Sequence, residues 1–281
     1  MKQKNYFLLW LLSTTLPAIY SQGDELKIAS PRTNLVVNEP FFVNGLGKVK
    51  RFAKGSIQFT VTTPTESRKV WEFGHGNTLP VAALPDGSRQ VAGFSFLWFD
   101  EKGCFFDNPG TYKVRAYDTI NKIESNELEV RVGPLPPSEA KLAVLFNSGK
   151  AIATLLMAKK PDETLRPYEE LLRDYPNSRY APYVAYALLL AEYQGLPPRN
   201  IPPEFPQKYE IARHLPAPSL FHADALITLA LANAGAGNIK GAKEDAQTFR
   251  RMYAGHARMK DAEELLRNIE DREKRDGKQA K

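Results

Sequence analysis

The chain has 281 residues, 43% of them hydrophobic and 25% charged, which is a globular composition rather than a disordered, collagen-like or multi-span membrane one. Its 38 Lys and Arg against 32 Asp and Glu leave a net charge of +6, too thin an excess for the dense basic face of a nucleic-acid binder. One Cys excludes an intramolecular disulfide framework and a Cys-based zinc cluster, and four scattered His leave little for a transition metal, so no metal and no cofactor is expected.

Lys2 and Lys4 open the chain, Tyr6–Leu12 is strongly apolar, and three hydroxyl residues and Pro17 follow. With small residues near Ser21, this is the pattern of a secretory signal peptide over residues 1–21, cleaved after Ser21. The competing reading is a retained anchor, but a spanning helix needs about 20 apolar residues. Cys104 is the only Cys, so lipid attachment at the cleavage point is excluded. No later stretch is long enough to span. The protein is therefore expected to be exported, periplasmic or extracellular in a bacterial envelope, with no membrane span after cleavage. Cys104 lies between Phe99 and Phe105 and reads as a buried thiol acting as a small hydrophobe, with a free reactive thiol as the alternative.

Residues 24–133 follow a period of two. Ser56–Thr62, Thr111–Tyr117 and Glu127–Val132 alternate apolar and polar, the mark of half-buried strands. Ser30-Pro31, Asn38-Glu39-Pro40, Pro85-Asp86-Gly87 and Asn108-Pro109-Gly110 punctuate them as turns. Short strands so spaced predict an antiparallel β-sandwich. Asn38-Glu39-Pro40 before Phe41-Phe42-Val43, the Leu84–Gly87 turn, Pro109–Val114 and Ser125–Leu128 together resemble immunoglobulin-like domains of bacterial exported proteins. The resemblance implies a spacer or binding module and a corner role for Tyr112, whose hydroxyl would bond nearby backbone. It transfers no catalytic residue.

Gly133-Pro134-Leu135-Pro136-Pro137 reads as a stiff linker, set at 134–137, because prolines lack the donor that strands and helix interiors need. Ser138 then caps a helix and the period becomes 3.6. Helices are expected over Ser138–Lys160 (with a break at Ser148-Gly149), Asp162–Tyr175, Tyr180–Gln194, Ser219–Ala234, Lys240–Tyr253 and Met259–Glu273. Leu196–Pro218, with its prolines, reads as an irregular insertion with one short helix near Lys208–His214, and residues 274–281 as a disordered tail. Tyr168–Pro182 and Ala225–Ala242 resemble the helical hairpins of tetratricopeptide-type repeats. That resemblance implies protein–protein interaction and a helical-repeat domain over 138–273, or a more distant α-solenoid, since the hairpins do not keep the repeat's spacing of about 34 residues. The expected fold class is thus multi-domain α and β, an immunoglobulin-like sandwich followed by a tetratricopeptide-like array.

Catalytic motifs fit poorly. Gly235–Gly241 has the wrong glycine spacing for a dinucleotide loop, and Ser148-Gly149-Lys150-Ala151 lacks the parts of a phosphate loop. Ser138-Glu139-Ala140-Lys141 has the Ser-x-x-Lys spacing of penicillin-recognising enzymes but not their Lys-Thr-Gly partner. His214 and His222 flank a proline-rich stretch rather than one helix face. Tyr183, Tyr186, Leu190 and Tyr193 share one helix side and are either anchors for a protein partner or packing against the Asp162–Tyr175 helix. Lys48, Lys50, Arg51 and Lys54 are either a solvated loop or a contact for an anionic polymer. Trp71, Phe73, Trp98 and Phe99 are either core or a carbohydrate platform. The function expected is a non-enzymatic exported scaffold that binds a protein of the cell envelope through its helices. The alternative is a surface module whose β half binds glycan.

Overall fold

The computed structural model describes residues 25–49, 56–63, 66–71, 79–83, 89–100, 103–157, 163–197, 201–254 and 256–279. Residues 1–21, expected to be a signal peptide, together with Lys50, Arg51, Lys54, Phe73, the expected Leu84–Gly87 turn and the side chain of Trp71, lie outside them. In chain order the strands are β1 (Glu25–Ala29), β2 (Asn34–Val36), β3 (Phe41–Val49), β4 (Ile57–Thr62), β5 (Ser67–Trp71) and β6 (Leu79–Ala83). They continue with β7 (Arg89–Leu97), β8 (Phe99–Asp100), β9 (Gly103–Cys104), β10 (Gly110–Asp118), β11 (Ile123–Glu124) and β12 (Leu128–Gly133).

The strands make two small sheets and one two-stranded ribbon. The first sheet runs β1-β3-β7-β6, all antiparallel. The second runs β2-β12-β10-β4-β5, with β11 beside β10 and β2 parallel to β12. Alternation sets the faces as expected: Tyr112, Val114 and Ala116 of β10 point inward while Thr111, Lys113 and Arg115 meet solvent. The Tyr112 hydroxyl does reach backbone, donating to the Asn108 carbonyl at 2.8 Å. At the outer edge of β1, Asn126 stands where a further strand would lie. Its Oδ1 accepts from the Ile28 amide at 2.8 Å, and its Nδ2 donates to the Ile28 carbonyl at 3.0 Å.

After Gly133 come a 3-10 stretch (Pro137–Phe146), α1 (Gly149–Met157), a 3-10 turn (Glu163–Leu165), α2 (Arg166–Asp174) and α3 (Ala181–Tyr193). Then follow α4 (Glu204–Lys208), a further 3-10 stretch (Glu210–His214), α5 (Leu220–Gly235), α6 (Ile239–Met252) and α7 (Met259–Gln279). The break at Ser148-Gly149 is real, and Gly149 is required there. A Cβ at this position would sit 2.7 Å from the Phe99 ring, where α1 crosses the β8 strand. Ser219 caps α5 by accepting from the His222 amide at 3.3 Å, and Asn238 caps α6 by accepting from the Gly241 amide at 3.1 Å. No single helix among the described residues is long and apolar enough to cross a membrane.

Three expectations need correction here. Ser138 caps nothing, since the 3-10 stretch begins at Pro137 without a side-chain cap. Leu196–Pro218 is more regular than expected: beside the short helix expected near Lys208–His214, which is the 3-10 stretch Glu210–His214, it carries α4, and Phe205, Tyr209, Ala212 and Leu215 are buried. The last helix continues past Glu273 to Gln279.

The expected fold class is also overturned. The chain is a mixed α and β protein with small sheets, and helices make up about half of the described residues. It is neither a large immunoglobulin-like sandwich nor a clear tetratricopeptide-like array. The cause lies in β3 and β7. Phe41, Val43 and Leu97 point toward the second sheet, but Phe42 and Phe96, on the other face, belong to the helical core. A sheet with apolar side chains on both faces must be covered on both faces. Phe221 of α5 sits at the centre of this seam, 5.1 Å from Phe42, 4.8 Å from Phe96 and 4.6 Å from Tyr186 between ring centroids. Trp98 meets Phe146 at 6.2 Å, and Phe146 stacks on Tyr180 at 4.4 Å. Such pairs contribute about 0.5–1.5 kcal/mol each beyond burial. The apolar core therefore does not divide at the proline segment. A separate cluster (Leu226, Ile227, Ala242, Phe249, Leu266 and neighbours) joins α5, α6 and α7, where alanines let the helices approach closely.

Candidate functional site

The polar counterpart of the aromatic seam is built around Glu39. Asn38 precedes it with φ of 61°, a left-handed conformation that Asn tolerates better than most residues. Asn38 is pinned from both sides: its amide donates to the Phe106 carbonyl at 2.7 Å, and its carbonyl accepts from Trp98 Nε1 at 2.8 Å. This turn drives the Glu39 side chain inward, where it is fully buried. A buried carboxylate must be paired and hydrogen-bonded to persist. Glu39 has four partners. Oε1 accepts from Arg32 Nη1 at 2.8 Å and from the Tyr183 hydroxyl at 2.8 Å. Oε2 accepts from the Val36 amide at 3.0 Å and from Arg179 Nη2 at 3.0 Å.

These partners come from distant parts of the chain. Arg32 precedes β2, Arg179 sits in the α2–α3 turn, and Tyr183 is on the first turn of α3. Arg179 Nη2 also donates to the Asn34 carbonyl at 2.8 Å, while its Nε–H is buried without a partner. The Tyr180 hydroxyl donates to the Val37 carbonyl. Burial, followed by the Glu39 charge, holds the hydroxyls of Tyr180 and Tyr183 well above the ordinary tyrosine range, so both remain donors.

Beside this hub lies a cleft of about 270 Å³. Arg32 and Arg179 line it, together with Asn177, Ser178 and His214. Its apolar walls include Pro176, Pro182, Ile211 and Pro216. Glu39 does not line the cleft, nor does any other Asp or Glu among the described residues, so its charged lining is the two arginines. Ser178 is not poised as a nucleophile. Its hydroxyl donates to Glu139 Oε2 at 2.6 Å, and its oxygen accepts from the Tyr180 amide at 3.3 Å.

The structure sorts the other candidates. Tyr183 and Tyr186 are not exposed anchors: both are buried, Tyr183 stacked on Phe42 at 6.2 Å and Tyr186 on Phe221. They pack against the sheet as well as against neighbouring helices. Leu190 and Tyr193 are half-buried against the same core, Tyr193 facing Phe205 at 6.5 Å. Lys48 lies half-buried in β3, and the other members of its cluster are outside the described residues. Trp98 is buried and Phe99 packs on Gly149, which removes both from any carbohydrate platform. Cys104 is buried with its thiol against the Phe146 carbonyl at 3.1 Å, the hydrophobe reading. Lys141 reaches over the Tyr175 ring at 4.7 Å, and Glu139 bonds Ser178, so Ser138–Lys141 serves packing.

Two further polar groups are internal to the helices. Arg213 holds Asp245 in a fork, Nε to Oδ1 at 2.9 Å and Nη2 to Oδ2 at 2.8 Å, and Asn233 adds a third bond at 3.0 Å. His222 Nδ1 lies 2.6 Å from the Tyr253 hydroxyl, which also accepts from the Ser219 amide at 3.1 Å. Burial lowers the His222 pKa to about 4, which keeps the imidazole neutral. His214 lines the cleft while His222 is buried in α5, so the two do not converge. No group of three or more His, Cys, Asp or Glu among the described residues is placed to hold a metal.

Sequence reasoning missed Glu39 because it read Asn38-Glu39-Pro40 only as a turn and as the entry to a strand in the immunoglobulin-like resemblance. The available signal was an acidic residue set between Val36-Val37 and Phe41-Phe42-Val43, an apolar context in which a carboxylate needs partners. Nothing local points to Arg179.

Neither a protein-family model nor a curated protein sequence matches the chain. Among solved structures, a β-glucosidase from Listeria innocua is similar over 40% of this chain and 17% of its own, with 18% identity and a TM-score of 0.22.

Proposed function

We propose that the chain is an exported, non-enzymatic adaptor that binds another protein at the cleft between its sheets and its helices. The observation that carries this reading is the arginine pair: Arg32 and Arg179 are fixed on opposite oxygens of one buried carboxylate and line the cleft together. Donors fixed before binding lose little freedom on binding, which favours recognition. The acid and base groups nearby support binding over catalysis. Glu39 is saturated by four donors, and the Ser178 proton is committed to Glu139. The helices contribute Arg179 and the Pro182, Ile211 and Pro216 walls, and the β half contributes Arg32.

The test is site-specific photo-crosslinking in the native cell with full-length protein. The crosslinker goes at Asn177, on the cleft, or at Arg250, exposed on α6. A discrete protein adduct from Asn177 and not from Arg250 is the expected result. Protein adducts absent from Asn177, or equal from both positions, would refute the assignment.

A further inference from the structure

We infer that the cleft recognises a peptide carboxylate, and that Arg32 and Arg179 make the recognition. This deepens the adaptor reading and rests on it for the occupant being a protein chain. Three observations carry it.

The first is charge. Arg32 and Arg179 bring two positive charges to the cleft, and Glu39 cancels one from behind. Glu139 stands behind Ser178, and no Asp or Glu among the described residues lines the cleft itself. The lining therefore presents cations and no anion, which suits a negatively charged group.

The second is donor geometry. A guanidinium carries five N–H donors in a planar fork that fits a carboxylate edge. Glu39 takes one Arg32 nitrogen, Nη1, and one Arg179 nitrogen, Nη2. Nε and Nη2 of Arg32 have no partner among the described residues, and Arg32 is about one-third exposed on the cleft. The Glu39 carboxylate thus holds both side chains and leaves one fork unused, the Nε and Nη2 edge of Arg32, while Arg179 has spent Nη2 on Glu39 and Asn34 and adds its charge. The Asn177 and Ser178 turn forms the adjoining rim.

The third is the wall. Pro176, Pro182, Pro216 and Ile211 give apolar, conformationally fixed surfaces around the charged end. A free small anion makes no use of them. An extended peptide does, with its carboxylate on the arginines and its flanking residues on the prolines. The cleft volume of about 270 Å³ suits one or two residues of such a chain.

Two sources supply this chemistry, a chain terminus and an Asp or Glu side chain, and the experiment separates them. Fluorescein-labelled proline-containing hexapeptides are titrated into the full-length protein by fluorescence polarisation. One ends in a free acid, its twin ends in an amide, and a third is amidated but carries one internal Glu. The free acid, the internal-Glu peptide or both should bind, with the neutral amide at least tenfold weaker. The source is read from which acidic peptide binds. Asn177→Asp places a negative charge on the rim at an exposed residue whose side chain the fold does not use, so its unfolding midpoint should hold while affinity falls at least tenfold. Arg32→Lys keeps the charge and removes the fork, and should also weaken binding. Equal binding of the acidic and neutral peptides would overturn the inference. So would displacement of the peptide by inorganic phosphate at lower concentration than by acetate, or unchanged affinity in folded Asn177→Asp. The two levels fail separately. Acid-selective peptide binding without the Asn177 crosslink sinks the adaptor reading alone. The crosslink without acid selectivity sinks the carboxylate alone.

Discussion

Glu39 and Asp245 are both buried carboxylates held by arginine, yet they do opposite things. Asp245 sits within the helical part, gripped by both nitrogens of an Arg213 fork and by Asn233, and Arg213 in turn holds Glu210 at 2.6 Å. Every strong donor there is spent inside the fold, and the single cation serves two carboxylates. Glu39 ties residues from the two halves of the chain, with Arg32 on one side and Arg179 and Tyr183, 140 and 144 residues from Glu39, on the other. It is outnumbered by its cations, and the excess faces a cleft. The same ion-pair chemistry makes a closed lock in one place and an oriented donor set in the other. The deciding quantity is how many donors remain after the carboxylate is satisfied.

The largest test of this contrast is to separate the parts. If the seam is a shared core, fragments 25–133 and 137–281 made separately expose Phe42, Phe96, Phe146 and Phe221, which are buried in the whole chain. Each should bind a hydrophobic dye and lack a cooperative unfolding transition, read by calorimetry. Two fragments that each unfold cooperatively would mean that the seam is a mere contact.

Next in size is Glu39→Gln. It leaves two arginines facing a neutral amide, and losing one partner of a buried pair costs about 3–5 kcal/mol. Asp245→Asn should cost less, about 2 kcal/mol, because the bonds lost there are ordinary charge-assisted ones and Arg213 keeps Glu210. Chemical denaturation of both variants checks the order, and a reversed order breaks the comparison.

Acid should act mainly through the helical side. The His222 pKa is about 4 in the fold against an ordinary 6.5, so the unfolded chain binds the proton first. The stability that His222 contributes is complete above pH 6.5, falls as pH drops toward about 4, and is level below. The loss approaches about 3 kcal/mol at roughly 1.4 kcal/mol per pKa unit. His256, also lowered by burial, acts with the same sign. A folded His222→Asn variant should show a shallower acid slope in denaturation midpoints measured across pH.

The smallest effect is Tyr253→Phe, which strips the hydroxyl from His222 Nδ1 and from the Ser219 amide. A loss of about 1–2 kcal/mol is expected by thermal unfolding, within the range for a buried group left without its partner.

The period-two runs of β4, β10 and β12 were readable because each buries one face, and alternation records that directly. Helices α2 and α6 were readable for the analogous reason, since each buries one face, and the Ser148-Gly149 break was readable too. Legibility failed where burial is two-sided. Phe41-Phe42-Val43 has no alternation because neighbouring residues serve different cores, and an isolated sandwich could not explain it. The helical face of Tyr183 and Tyr186 was correctly grouped, but its partner was a sheet from the other end of the sequence. The candidate site was the least legible part. Arg32, Glu39 and Arg179 have no shared motif, and only the closure of sheet onto helix brings them together.

The side-chain amide of Asn126 has a consequence for how copies of the chain meet one another. A sheet margin with open amides and carbonyls is a template onto which another molecule can add, and repetition of that step grows fibrils. At Ile28 the template is already occupied, because one Asn supplies the acceptor and donor that an incoming strand would offer. At that position a residue outside the ladder closes the margin, so an incoming strand finds no open pair at Ile28 on which to add.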